Sequence, residues 1–349
     1  MKLIVQIPVL NEADTIAAVI EDIPRAIPGV DSVEVLIVDD GCTDDTVAIA
    51  LDAGADFVVR HTSRKGLARA YQTGNDAALR LGADIIVNTD GDHQYPGAEI
   101  PRLIAPILAG EAEVVIGDRQ VGHIEHFSAL KKTLQHVGSG VVRWASETDV
   151  PDTVSGFRAL SREAALRLFV TTDFSYTVEN LIQAGKKGLT VTTVPISINT
   201  VERPSRLHQG NWNFIKRQAA IIARTYATYE PLKTFSYIAL VWFVPGLLLL
   251  TWAAIVFFGR RLNLLHASND QSLIVGGVLM IMTLVTFLFG VIADRIGGVR
   301  RLDEEQLYRL RAREVADEEW RRNVGARLEV LERKLDEVRQ GEQELRVEN

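Results

Sequence analysis

Short apolar runs alternate with stretches of helical periodicity over the first two hundred residues. In the first helical stretch, apolar side chains recur three and four positions apart, at Ile16, Val19, Ile20 and Ile23. Strands separated by helices predict an α/β fold whose mainly parallel sheet is covered on both faces. The predicted strands are residues 3–7, 33–38, 57–59, 84–88, a run that starts at Val114, and 191–198.

Clusters of polar residues follow directly after several of these strands. In a parallel sheet, ligands bind beyond the carboxyl ends of the strands. We therefore expect the clusters to share one edge of the sheet and to form a binding site there. They are residues 8–12, Asp39-Asp40, Lys65-Gly66 and residues 90–94.

The pair Asp90-Gly91-Asp92, which follows the apolar run 85–87, is the strongest chemical signal in the chain. Two carboxylates one residue apart can converge on one divalent cation. Magnesium and manganese prefer oxygen ligands, which the amide of Gln94 can also supply. His93 is expected to line the site rather than to bind the metal. The alternative interpretation is that Asp-Gly-Asp is only a polar turn after a strand.

Two long apolar segments follow the α/β region. Residues 235–258 and 273–293 contain no charged residue, and each reaches the roughly 20 residues that cross a bilayer core. With a connecting loop at 259–272 they predict a hairpin whose two ends lie on one side of a membrane. A soluble protein's core helix is the alternative. Basic residues flank the outer ends of the two apolar segments, which favours cytoplasmic ends: Lys233, Arg295, Arg300 and Arg301. Arg260 and Arg261 in the connecting loop weaken this inference without reversing it.

Residues 212–229 predict an amphipathic helix immediately before the hairpin. Its apolar and aromatic residues recur at three- and four-residue spacing, while basic residues lie off that stripe. This pattern is typical of a helix at the membrane surface. The alternative is an ordinary helix that packs on the α/β domain. The stripe consists of Trp212, Ile215, Ala219, Ile222, Tyr226 and Tyr229.

A densely charged tail follows Asp303. Its apolar residues alternate four and three apart, which predicts either a short coiled coil that joins two copies of the chain or a solvated single helix. We identify no chemistry in this tail, and if it only assembles subunits, deletion of residues 303–349 should leave the chemistry intact. The seam is Val324, Leu328, Leu331, Leu335 and Val338.

Composition narrows the possible functions. The net charge of −7 argues against a general nucleic-acid binder, which needs a basic surface. The single cysteine, Cys42, excludes an intramolecular disulfide and a thiolate zinc cluster. The first apolar run is too short for a signal peptide, so the amino-terminal domain is expected to stay in the cytoplasm. The predicted divisions are an α/β domain with the candidate site at 1–208, an interface helix at 209–232, a transmembrane hairpin at 233–295 and a charged helical tail at 302–347.

Taken together, these motifs resemble glycosyltransferase family 2 with the GT-A fold. Within that family they are similar to the polyprenyl- and dolichyl-phosphate glycosyltransferases, the group that includes dolichyl-phosphate mannose synthase. The resemblance covers roughly residues 1–210, and its elements occur in the family's order. They are 7–12, 38–41, Lys65-Gly66, 90–94, 117–119, 155–158 and 203–207.

The resemblance implies a role for each matching residue. The nucleotide sugar would contact Pro8, Asn11, Glu12, Asp39, Asp40, Lys65, Asp90 and Arg203. Asp90, Asp92 and Gln94 would hold Mg²⁺ or Mn²⁺. The acceptor phosphate would face Arg119, Lys131, Lys132 and Arg206, and the catalytic residues would be Asp92, Arg119 and Glu179. Two departures matter: Cys42 replaces the usual serine, and the Arg203–Arg206 segment is shorter than in the mannosyl enzymes, which puts GDP-mannose in doubt as the donor.

The implied reaction is inverting transfer of a sugar from a UDP- or GDP-linked donor to a polyprenyl phosphate in the cell membrane. A phosphate monoester is already anionic, so the site needs little from a base, and its main task is to stabilise the departing diphosphate. Glu179 is a candidate base or sugar anchor, or only a carboxylate on a helix face.

Two other functions stay open at this point. A transferase that extends a glycan would attack with a neutral hydroxyl and would need a strong base. An inactive, transferase-like membrane scaffold is the alternative of another class. A dinucleotide-dependent dehydrogenase is excluded, because the first strand leads into Pro8-Val9-Leu10-Asn11-Glu12 rather than a Gly-x-Gly loop.

Overall fold

The computed structural model describes residues 1–120, 140–171, 176–199, 211–262 and 270–347. The chain divides into two compact units. The first contains Met1–His208 together with Gln306–Asn349, and the second contains Gln209–Glu305. The amino-terminal part of the charged tail therefore belongs to the same unit as the α/β region.

A mixed, mostly parallel sheet forms the centre of the first unit. Among the described residues it has seven strands, in the order β3-β2-β1-β4-β6-β5-β7. Strand β6 runs antiparallel to both neighbours, and the other pairs are parallel. The predicted α/β class with a mainly parallel sheet is confirmed. The strands are β1 Lys2–Val9, β2 Ser32–Asp39, β3 Phe57–Arg60, β4 Ile85–Asn88, β5 Val114–Asp118, β6 Arg158–Ser161 and β7 Val191–Pro195.

Helices flank this sheet, and a helical stretch at 140–146 precedes β6. The apolar faces of α1 and α4 contribute to the main core with the side chains of β1 and β2, and Leu3, Val5 and Ile7 are fully buried there. The helices are α1 Ile16–Glu21, α2 Thr46–Asp52, α3 Leu67–Arg80, α4 Ile100–Leu108, α5 Arg162–Arg167 and α6 Tyr176–Lys186.

Helix α3 approaches β1 closely at Gly74. A Cβ atom at this position would lie 1.9 Å from Oε1 of Gln6, so any other residue would displace the buried Gln6 side chain. The neighbouring Asn75 accepts a hydrogen bond of 3.0 Å from Nε2 of Gln6. This contact anchors α3 on the sheet, and it places the loop before the helix, at Lys65-Gly66, beside the end of β2.

The second unit contains α7 Asn211–Tyr229, α8 Pro231–Arg261 and the first part of α9, which runs from Asp270 to Val347. Helices α8 and α9 are long and apolar enough to cross a membrane, by length and composition. Only 17% and 11% of their most apolar windows are buried, unlike the core helix of a soluble protein. The two helices pack closely through glycine, since a Cβ atom at Gly246 would lie 3.0 Å from Cβ of Leu279.

Helix α9 continues from the apolar segment into the charged tail without an interruption. The sequence analysis separated a span ending at 293 from a tail helix beginning at 302, whereas the structure has one helix from Asp270 to Val347. Residues from Gln306 onward belong to the first unit. There Arg311 and Val315 are buried, with 9% and 4% of their surfaces exposed. Pairing of two chains through the 324–338 seam stays a prediction.

Candidate active site

The loops after β1 and β4 meet at one edge of the sheet. Thr15 donates a hydrogen bond of 2.6 Å to the carbonyl of Gly91. A Cβ atom on Gly91 would lie 3.2 Å from Val9 and 3.3 Å from Glu12, so glycine lets the two loops touch. The Asp90-Gly91-Asp92 turn is thereby packed against the polar cluster at residues 8–12. This agrees with the expectation that polar clusters that follow parallel strands share one edge of the sheet, which we call the strand-end rule.

The carboxylate of Asp90 lies against the backbone of Gly156, in the loop before β6. A Cβ atom at position 156 would be 2.9 Å from Oδ2 of Asp90. Asn88 and Tyr176 hold this loop, since Nδ2 of Asn88 donates 2.8 Å hydrogen bonds to the Gly156 carbonyl and to the Tyr176 hydroxyl. The fully buried Arg158 stabilises the same loop by donating hydrogen bonds to the carbonyls of Thr153, Ser155 and Thr177.

Acidic charge accumulates at Asp90. Burial raises the pKa of Asp90 to about 7, and the carboxylates of Asp92 and Glu12 add to this effect, while Arg119 opposes it. The described residues donate no hydrogen bond to the Asp90 carboxylate. A carboxyl group in this environment is stabilised either by a proton or by a cation.

The turn that carries Asp92 and Gln94 is held at both of its ends. His93 has a left-handed backbone (φ 58°), and the backbone N–H of Gln94 donates a hydrogen bond to Oδ1 of Asp92 at 3.1 Å. The carbonyls of His93 and Gln94 both accept hydrogen bonds from Asn199, at 3.0 and 2.9 Å. Asn199 lies more than a hundred residues away in sequence, and the sequence analysis did not find it.

Asp39 and Asp40 are turned into the protein. Oδ1 of Asp39 accepts from the amides of Gly41 and Cys42, and Oδ2 from Arg60 at 2.7 Å. Burial alone would raise the pKa of Asp39, but the Cys42 and Arg60 donors outweigh it and lower the pKa. The Asp39 carboxylate therefore shapes the loop after β2, and its contact with a nucleotide stays a prediction.

The carboxylate of Asp40 joins the ends of β2 and β3 to the start of α3. It accepts hydrogen bonds from the amides of Lys65 and Gly66, at 2.7 and 2.8 Å. The buried His61 contacts Asp40 through Nδ1 at 2.8 Å and Thr73 through Nε2 at 3.0 Å. His61 follows β3 directly, so the strand-end rule could have identified it. The side chain of Lys65 is exposed, so it is accessible to a ligand, and its contact with a nucleotide stays a prediction.

Arg119 is fixed by Asp152, which the sequence analysis did not single out. Nε and Nη2 of Arg119 donate to the two carboxylate oxygens of Asp152 at 2.6 and 2.9 Å. This bidentate pair uses two of the five guanidinium N–H groups. The remaining three are chemically able to contact an anion such as a phosphate.

Glu179 lies on α6 with 3% of its surface exposed. Its Oε1 accepts hydrogen bonds from the amide and hydroxyl of Thr171, at 3.0 and 2.5 Å, and from Gln183 at 3.2 Å. The Glu179 carboxylate therefore holds Thr171 and Gln183 in place, and its role as a base stays a prediction.

The other predicted residues divide into two groups. Pro8 and Asn11 lie at the end of β1, where Pro8 is buried and the Asn11 side chain is hydrogen bonded to Thr43. Apart from Arg119, the predicted phosphate contacts lie outside the described residues, so their placement stays a prediction: Lys131, Lys132, Arg203 and Arg206.

The donor set at Asp90, Asp92 and Gln94 fits a hard divalent cation. Within the described residues, no group of three or more His, Cys, Asp or Glu side chains could hold a metal ion. Two carboxylates and an amide oxygen leave positions open, and Mg²⁺ commonly fills such positions with water and substrate phosphates. The raised pKa of Asp90 provides the second indication, because a bound cation would replace the proton.

A doubly covered, mostly parallel sheet with paired carboxylates at its edge defines an α/β protein whose ligand site lies beyond the carboxyl ends of the strands. Residues 4–169 match the family model of Glycosyl transferase family 2. An uncharacterised glycosyltransferase of Mycobacterium bovis is 31% identical over 198 residues, covering 55% of this chain and 83% of that protein. The chain belongs to glycosyl transferase family 2 and is a glycosyltransferase.

Other relatives extend over different parts of the chain. Glycosyltransferase AglJ of Haloferax volcanii is 29% identical over 311 residues, covering 87% of this chain and 95% of that protein. Polyprenol monophosphomannose synthase of Mycolicibacterium smegmatis is 28% identical over 210 residues, covering 57% of this chain and 78% of that protein.

A solved structure supports the predicted GT-A fold. It is glucosyl-3-phosphoglycerate synthase from Mycobacterium tuberculosis, in complex with Mn²⁺, UDP-glucose and phosphoglyceric acid. The TM-score is 0.53 at 24% identity, covering 65% of this chain and 80% of that one. This similarity concerns the fold, and the predicted GT-A class is confirmed.

Proposed function

We propose that this glycosyltransferase moves a sugar from a nucleotide-sugar donor to a polyprenyl phosphate at the cell membrane. The observation that carries the proposal is the combination, in one chain, of an acidic sheet-edge site with two exposed apolar helices of membrane-spanning length. The Mycolicibacterium smegmatis relative is named for a polyprenol phosphate product, which supports a lipid acceptor.

On the donor side, Asp90, Asp92 and Gln94 hold Mg²⁺ or Mn²⁺ in this proposal. The cation supplies Lewis-acid stabilisation of the diphosphate that leaves the sugar. The chain itself supplies rigidity, since Asn199 fixes the Asp92 loop and Asp40 fixes the Lys65-Gly66 loop. Sites that are held in place before the reaction avoid the cost of reorganising as charge develops.

On the acceptor side, the proposal needs a cation more than a base. Arg119, which Asp152 holds through a bidentate pair, presents the N–H groups that this pair does not use to the acceptor phosphate. Glu179 is already engaged by Thr171 and Gln183, and this supports an acceptor whose oxygen is anionic before it attacks. A neutral hydroxyl would need a proton acceptor, and three hydrogen-bond donors already converge on Oε1 of Glu179.

The experiment compares two lipid acceptors that differ only in the phosphate. Purified full-length protein in detergent receives Mn²⁺, a panel of radiolabelled UDP- and GDP-linked sugars, and either polyprenyl phosphate or the corresponding free polyprenol. We expect a labelled lipid only with the phosphate, and only when divalent cation is present. Label on the free polyprenol, or on a soluble glycan alone, would refute the proposal.

A matched pair of variants tests the metal site in the same assay. Asp92→Ala should remove both transfer and metal-dependent nucleotide binding while the protein stays folded. Asp52→Ala replaces an exposed aspartate on α2 and should behave as the unmodified protein. Near-normal activity of Asp92→Ala would contradict the metal assignment, and absence of metal-dependent nucleotide binding in the unmodified protein would favour the inactive scaffold.

A further inference from the structure

The first part of the charged tail packs on the rest of the first unit, which carries the acidic site around Asp90 and which we call the catalytic unit. From Gln306 onward, α9 belongs to that unit, and Val315 is 4% exposed. Ion pairs border the contact, with Glu314 against Arg80 at 2.9 Å and Glu319 against Arg162 at 2.5 Å. We call residues 306–322 the docked tail.

Arg311 is the buried centre of this contact. Its Nη1 donates to the carbonyls of Leu166 and Leu168, at 2.6 and 3.2 Å, which are the carbonyls at the end of α5. Its Nη2 donates to Oδ1 of Asp76 on α3 at 2.6 Å. Arg311 thus caps one helix and bridges it to another, and a cation is favoured at a helix carboxyl end.

Asp76 links Arg311, through Gln72, to the segment that follows α5. The same Oδ1 atom also accepts from Nε2 of Gln72 at 3.1 Å, which fixes the orientation of the Gln72 amide. Oε1 of Gln72 then accepts from the amide of Val170 at 2.9 Å. The position of Val170 therefore depends on the hydrogen-bonded pair Gln72–Asp76, and Arg311 binds the Asp76 carboxylate of that pair.

The 168–171 segment is held by side chains along its whole length. Arg311 binds Leu168, Gln183 binds both backbone groups of Phe169, Gln72 binds Val170, and Glu179 binds Thr171. Glu179 and Gln183 lie on α6, and the first residue of that helix is Tyr176. A Cβ atom on Gly156 would lie 3.1 Å from the Tyr176 hydroxyl and 2.9 Å from Asp90. Contacts therefore run from the docked tail to the acidic site.

We propose that the docked tail is a working part of the catalytic unit and that Arg311 is a positioning residue for sugar transfer. By holding the 168–171 segment against α3 and α6, Arg311 fixes the Glu179 carboxylate and the start of α6 beside the acidic site. This goes beyond the proposed acceptor, because it concerns how the site is held rather than what it binds.

The test compares three variants of the full-length protein in detergent. Arg311→Ala removes the contacts, Arg311→Lys keeps the charge, and Arg313→Ala removes an exposed arginine from the same helix. Hydrogen exchange of the peptide that covers 166–171 should accelerate about tenfold or more in Arg311→Ala, as expected for loss of charged hydrogen bonds. It should be unchanged in Arg313→Ala and intermediate in Arg311→Lys.

Turnover is measured on the same samples. We expect Arg311→Ala to lower kcat about tenfold or more, with the donor KM within about twofold, and Arg311→Lys to recover part of the loss. Equal exchange in Arg311→Ala and Arg313→Ala would overturn the proposal. So would a loss of kcat that only follows the unfolded fraction as temperature rises. The exchange measurement needs no substrate, so it remains decisive if polyprenyl phosphate proves not to be the acceptor.

Discussion

The protonation of Asp90 yields a quantitative prediction. With a pKa of about 7 instead of 3.8, Asp90 keeps its proton in the folded protein after the unfolded chain has released it. Metal-free protein should therefore lose stability as the pH rises from about 4 to about 7. At 1.36 kcal/mol for each pKa unit, the loss reaches at most about 4 kcal/mol by pH 8.

Asp90→Asn removes the titrating group and keeps the shape. The variant should match the unmodified protein near pH 4 and exceed its stability increasingly above that, by a Tm difference on the order of 10 °C at pH 8. The assay is thermal unfolding of full-length protein in detergent with a chelator, between pH 4 and 8. Asp52→Asn, at an exposed site, serves as the control.

Mn²⁺ provides the second half of this experiment. Because the cation replaces the proton, it should raise the Tm of the unmodified protein above pH 7 and have little effect on Asp90→Asn. Its apparent affinity should weaken up to about tenfold for each pH unit below 7. If Asp90→Asn keeps the pH slope of the unmodified protein, the proton is not on Asp90 and the electrostatic argument for the cation site is wrong.

Three further predictions concern the surroundings of this site. Gly156→Ala places a methyl group 2.9 Å from the Asp90 carboxylate and should weaken metal-dependent nucleotide binding about tenfold or more. Gly140→Ala, where no atom of the described residues lies within 4 Å of the added methyl group, should not weaken it, and calorimetry distinguishes the two variants. Glu179→Gln retains an oxygen for the Thr171 donors, so transfer to polyprenyl phosphate should stay within about threefold, and a complete loss would favour a hydroxyl acceptor. A chain that ends at residue 305 should lose turnover about tenfold or more, while one that ends at residue 325 retains the docked tail and should stay active; equal activity would contradict a role for Arg311.

The alternation of apolar runs predicted the sheet well, with one exception. Strand β6 was missed because Arg158–Ser161 has four residues with polar ends, and its antiparallel place between β4 and β5 depends on long-range pairing. The strand is central to the site all the same, since the loop before it supplies Gly156.

The strand-end rule located the site but not the direction of its side chains. It brought Asp39, Asp40 and Asp90 to one edge, yet whether a carboxylate points outward depends on nearby amides such as those of Cys42 and Gly66. Asp152 and Asn199 act across long sequence separations, and a local pattern contains no signal for such contacts.

Hydrophobic periodicity also failed to reveal how the tail docks. The heptad pattern indicated a seam at 324–338, beyond the docked tail, because periodicity is read from apolar residues. The centre of the observed contact is an arginine whose partners are backbone carbonyls and Asp76. Sequence patterns record such a residue only as one charge among many.

The first unit is built from two separate segments of the chain, and this has a consequence for its synthesis. The second of these segments begins at Gln306 and is separated from His208 by the 97 residues of the second unit. At 5–20 residues per second, a ribosome needs about 5–20 s to cover that interval. During this time the newly made sheet exists without Arg311, and the apolar helices emerge before the docked tail can bind. The order of synthesis therefore delays completion of the catalytic unit until both apolar helices of the second unit have been produced.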